Sequence, residues 1–68
     1  MAPTTRQIGL RLKKLRETKG LSQTQLAKKA RVSRAYVFRL EAGGSDPTVG
    51  LLQRLAKALG VPATALLE

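Results

Sequence analysis

Sixty-eight residues make one small domain, and with no cysteine and no histidine it has no disulfide framework, no thiolate metal site and no imidazole base. Thirteen lysines and arginines against four acidic residues give a net charge of +9, which points to a polyanionic partner, either nucleic acid or an anionic membrane surface. Glu17, Glu41, Asp46 and Glu68 are the whole carboxylate inventory, so the composition argues against an enzyme, and no metal or cofactor is expected.

Residues 1–5 read as a frayed start, with Pro3 excluded from a helix interior, and residues 6–68 as a single domain. Thr5 is positioned to cap a first helix in which Ile8, Leu12 and Leu15 recur at i, i+4 and i+7. Arg6, Arg11, Lys13, Lys14 and Arg16 surround that stripe, and Gly20, preceded by Lys19, ends the helix. Arg16 borders the apolar stripe, so its guanidinium should not point freely into water; a carboxylate can satisfy it with two parallel hydrogen bonds.

Ser22 is a good N-cap for a helix beginning near Gln23, and Gln25 stands three residues later as in a capping box. Leu26, Ala27 and Ala30 give this helix its apolar spacing, and Val32 is a lone apolar residue in the polar turn that follows. Ser33 caps the next helix, in which Val37 and Leu40 point inward and Arg34, Ala35, Phe38 and Arg39 point outward. Two capped helices of about two turns each, joined by a short turn, make a helix-turn-helix, with Gln23 to Glu41 as its extent. Gly43 stops the third helix, and Thr48 or Asp46 caps a fourth with Leu51, Leu52, Leu55, Ala56 and Leu59 on its apolar face. Gly60 ends that helix, and Pro62 is suited to the first position of a short last one. The fold class is therefore all-α: a compact bundle of five helices and no strand.

Eleven of the thirteen basic residues lie at or before Arg39, which argues against a merely solubilising coat. No stretch approaches the roughly 20 apolar residues of a membrane span, and no apolar signal region opens the chain, so the expected location is cytoplasmic. One Tyr, one Phe and no Trp, with glycines cutting the helices short, argue against a membrane-active helix.

Leu21-Ser22-Gln23, Leu26-Ala27, Val32-Ser33, Val37, Leu40-Glu41, Gly43 and Pro47, continuing through Leu51, Leu55-Ala56, Ala58-Leu59 and Val61, resemble the phage repressor and Cro-like helix-turn-helix (XRE-type) family over roughly residues 8–67. The resemblance implies a lambda-repressor-like DNA-binding domain and a transcriptional regulator, most simply a repressor or autoregulator of double-stranded DNA. It implies base reading by Arg34, Ala35 and Arg39; arginine suits guanine O6 and N7, and Ala35 suits a thymine methyl or simple clearance. For each arginine the alternative is a phosphate contact, which carries no sequence information. Gln23 is implied to bind phosphate at the helix N-terminus and has the alternative of bracing Arg34, while Ser22, Lys28, Ser33 and Tyr36 are further phosphate candidates. It also implies that Arg16 pairs with Glu41 as a structural tie between the first and third helices.

Three departures qualify the match. Arg31 stands where the turn often has glycine, and a left-handed backbone there costs about 1–2 kcal/mol. Phe38 replaces a small polar residue and is expected to pack over the loop before the fourth helix, the alternative being a half-exposed ring toward DNA or a partner. The Gly43–Asp46 loop carries no base.

A single recognition helix reads only a few base pairs, so a homodimer on a palindromic operator is expected, with Leu52, Leu66, Leu67 and Val49 as its candidate surface, the alternative being that these leucines finish the monomer core, and with Leu10 as an unexplained exposed residue. RNA polymerase is a candidate second partner. The competing reading is an antitoxin-type interaction module that also binds its own promoter, with a toxin as partner.

Overall fold

The computed structural model describes residues 3–68, which form five helices: α1 (Thr5–Thr18), α2 (Gln23–Ala30), α3 (Arg34–Glu41), α4 (Val49–Leu59) and α5 (Thr64–Leu67). Of the expected frayed start, Met1 and Ala2 lie outside the described residues.

Local chemistry sets most helix ends. The α1 cap is Thr4, not Thr5. Its hydroxyl accepts from the Gln7 backbone N–H at 3.1 Å, and its own N–H donates to the Gln7 side chain at 2.9 Å. The reciprocal box requires an amide or carboxylate three residues after the cap, and three residues after Thr5 stands Ile8. Ser22 and Gln25 form the same box on α2, at 3.0 and 2.8 Å. The Ser33 hydroxyl accepts from the Tyr36 N–H to start α3, and Thr48, rather than Asp46, accepts from the Leu51 N–H to start α4. Pro62 does not open α5. It closes a turn in which its carbonyl accepts from the Ala65 N–H at 2.9 Å, two residues ahead of the helix.

The apolar stripes meet in one core, with Leu12, Leu26, Val37, Leu40, Leu55 and Leu66 fully enclosed. α3 packs against α1 and α2, α2 against α4, and α5 closes the bundle against α1 and α4. The α1–α3 crossing depends on Gly9: a Cβ there would stand 2.1 Å from the Leu40 carbonyl oxygen. Helices that close leave no room for any side chain at the crossing. Leu52 is 6% exposed and Leu66 0%, so neither forms part of a surface for a second copy; both complete the monomer core. Leu67, at 36% exposure, lies outside it, as do Val49 and Leu10.

The α2–α3 turn is Arg31-Val32-Ser33. Arg31 is left-handed, with φ 60° and ψ 47°, and is the one non-glycine residue of positive φ among those described. Arg54 supports this turn from α4: its Nη2 donates to the Ala30 and Arg31 carbonyl oxygens, each at 2.7 Å. A guanidinium there satisfies carbonyls that the end of α2 leaves open and matches the negative end of its dipole.

Candidate nucleic-acid interface

The eight residues of α3 divide cleanly. Val37, Leu40 and Glu41 are buried, whereas Arg34, Ala35, Phe38 and Arg39 are exposed along one side. Helical spacing produces this directly, since positions 34, 35, 38 and 39 fall together on one face and 37, 40 and 41 on the other.

The buried side is fastened through Glu41. Arg16 Nε donates to Glu41 Oε2 at 2.6 Å and Arg16 Nη2 to Oε1 at 3.0 Å, a two-bond fork between α1 and α3. Arg16 Nη1 donates to the Leu21 carbonyl at 2.7 Å, so the same guanidinium also fixes the segment entering α2. The hydrogen bond and charge of Glu41 raise the Arg16 pKa above its ordinary value against the opposing effect of burial.

Gln23 completes this network. Its Nε2 donates to Glu41 Oε1 at 3.1 Å, so its side chain braces the carboxylate rather than Arg34. The buried Glu41 carboxylate offers the amide a charge-assisted hydrogen bond, whereas the Arg34 guanidinium offers its N–H groups no partner. The Ser22 hydroxyl takes the Gln25 N–H, which leaves the Gln23 and Thr24 backbone N–H groups at the start of α2 and one amide hydrogen of Gln23 to face an anion.

Around the outward side of α3 lie further donors. Arg39 sits with its guanidinium carbon 5.6 Å from the centre of the Tyr36 ring, a cation–π spacing that orients the arginine along the helix. Ser22 and Ser33 spend their oxygens as cap acceptors and keep their O–H groups for donation. Ser33, Tyr36, Arg39 and Arg54 line an open groove that runs to Thr48, Gly50 and Leu51 at the start of α4. Beside the apolar Val32 and Leu51, its lining presents two guanidinium groups, a phenol, hydroxyls and a helix N-terminus, groups suited to an anionic strand. Lys28 is exposed on α2, and Lys29, Arg31, Arg54 and Lys57 continue the positive surface behind the turn.

Phe38 contradicts the expected packing over the loop: it is 57% exposed and shares the arginine face. Arg54 and Gly9 are structural contributors that sequence reasoning passes over. A glycine in the middle of an amphipathic helix is the signal for Gly9; for Arg54, a basic residue on the fourth helix, no local signal exists. Among the described residues no group of three acidic or metal-binding side chains gathers, and no helix is long and apolar enough to cross a membrane.

Comparison with known proteins agrees with this geometry. A family model described as helix-turn-helix (HTH_3) matches residues 12–66. The immunity repressor protein of Bacillus phage phi105 is 37% identical over 59 residues, which span 87% of this chain and 41% of the repressor. The HTH-type transcriptional regulator y4dJ of Sinorhizobium fredii is 41% identical over 54 residues, 79% of this chain and 70% of that protein. Among solved structures, the restriction-modification controller protein C.AhdI from Aeromonas hydrophila superposes with a TM-score of 0.89 at 35% identity, covering 91% of this chain and 94% of the controller. The chain thus spans less than half the length of the phage repressor and nearly all of the controller.

Proposed function

The chain belongs to the helix-turn-helix (HTH_3) family of DNA-binding regulators, which are not enzymes, and from that premise we propose that it regulates transcription by sequence-specific occupancy of double-stranded DNA, with α3 in the major groove. The observation that carries the reading is the division of α3: an inward side locked by Arg16, Gln23 and Glu41, and an outward side of exposed arginines.

In this reading Arg34 and Arg39 donate paired hydrogen bonds to guanine O6 and N7, and Ala35 gives clearance beside them or touches a thymine methyl. The hydroxyls of Ser22, Ser33 and Tyr36, the ammonium of Lys28 and the N-terminus of α2 at Gln23 hold phosphates and fix the register. Two copies on a palindromic operator in the cytoplasm, with half-sites one helical turn apart, supply the base pairs that one helix cannot read. Binding there blocks RNA polymerase or touches it from an adjacent site.

In vitro selection from random duplex DNA near physiological ionic strength tests this. A two-fold motif with half-sites about 34–36 Å apart is expected, with affinity falling on a log–log salt plot by about 0.9 for each phosphate neutralised. Recovery of no motif overturns the reading.

A further inference from the structure

Four large apolar side chains are exposed among the described residues: Leu10, Phe38, Val49 and Leu67. A lone exposed hydrophobe is ordinary on a protein surface. Phe38 differs from the others in its position. It stands on α3, four residues after Arg34 and three after Ala35, on the face that also carries Arg39. The backbone beneath it is held by Val37, Leu40 and the Arg16–Glu41 fork, so the ring cannot turn inward without disrupting the core.

The major-groove edges of the bases offer hydrogen-bond donors and acceptors and one apolar group, the C5-methyl of thymine. A phenyl ring among base-facing arginines has that group as its one favourable apolar partner there; against any other base it desolvates a donor or an acceptor without replacing the lost hydrogen bond. We propose that Phe38 is a specificity-determining residue of this protein, which selects a thymine by contact with its C5-methyl group. The proposal rests on the DNA-binding reading above and adds a fourth base-reading position to Arg34, Ala35 and Arg39. Four residues of helix advance about 6 Å and base pairs are about 3.4 Å apart. The thymine therefore lies one or two base pairs from the pair that faces Arg34.

Deoxyuridine, which lacks only the methyl group, tests the proposal. Each thymine of the selected site is replaced in turn by deoxyuridine, and the dissociation constant is measured for the intact chain, Phe38→Ala and Phe38→Leu. For the intact chain, one thymine per half-site should show an affinity loss of about fourfold, the equivalent of one buried methyl group. Phe38→Ala should melt as the parent does, bind the thymine site more weakly, and no longer distinguish thymine from uracil at that position. Phe38→Leu should retain part of the discrimination. No uracil-sensitive thymine, or sensitivity that survives in Phe38→Ala, overturns the proposal and leaves the regulator reading intact. A chain that selects no motif from random DNA overturns both.

Discussion

The inward and outward faces of α3 differ in what each side chain has for company. Inward, Val37 and Leu40 are sealed, and Glu41, the one buried charged residue among those described, receives three hydrogen bonds from Arg16 and Gln23. Outward, among the described residues, Arg34 and Phe38 make no side-chain hydrogen bond or ion pair, and Arg39 lies over the Tyr36 ring. One eight-residue helix therefore separates two tasks. On the proposed reading, substitutions on its inner side should change whether the domain folds, and those on its outer side what it binds.

Arg16→Ala puts the comparison under the greatest load. It removes both arms of the fork and the bond to Leu21, and leaves Glu41 buried with Gln23 as its donor. Removing one partner of a buried pair costs about 3–5 kcal/mol, whereas a domain of this size has about 3–10 kcal/mol in total. Thermal or denaturant unfolding should show a protein close to unfolded at 37 °C. A loss below about 1 kcal/mol, the range of an exposed pair, would break the comparison.

Gly9→Ala should have the next largest effect. Alanine is the better helix former by about 1 kcal/mol, but its Cβ would meet the Leu40 and Glu41 carbonyl oxygens at 2.1 and 3.0 Å. Overpacking of this kind costs about 1–3 kcal/mol, so a lower melting temperature is expected. Gly50→Ala is the control: nothing lies within 4 Å of a Cβ there, and its melting temperature should hold or rise.

Arg34→Ala should leave the melting temperature unchanged, since the side chain is exposed and makes no hydrogen bond among the described residues. Its effect belongs in binding: about 1–3 kcal/mol, confined to the preference at one base pair of the selected site. Equal weakening on every sequence assigns Arg34 to a phosphate instead, and a melting loss comparable to that of Arg16→Ala removes the distinction between the faces.

How legible each feature is follows from how local it is. The Ser22–Gln25 box and the Ser33 cap connect residues three apart, so identity and spacing alone predict them, and they narrow the fourth cap to Thr48 or Asp46, of which Thr48 serves. The Thr4 cap is one residue from the expected Thr5 because the partner that fixes it, Gln7, enters the prediction only when both members of the box are counted. The ends of α2 and α4 show the limit of local reasoning. Both are left-handed, but α4 ends on Gly60, which adopts that backbone freely, and α2 ends on Arg31, which does not. The compensating contact at Arg31 comes from Arg54, 23 residues away in the chain, and nothing near Arg31 announces it.

The sequence by itself determined five helices, their order, most of their caps, the inward and outward residues of α3 and the charge that directs the chain to a polyanion. Apolar period, cap chemistry and net charge are properties of neighbouring residues or of composition, and they survive without knowledge of the packing. Tertiary structure alone decided that Gln23 braces Glu41 across 18 residues, that Gly9 admits α3 against α1, that Leu66 rather than Leu67 enters the core, and that Phe38 is left uncovered. Each depends on the distance between helices far apart in sequence. That distance is set by the fit of whole faces, which no single segment contains.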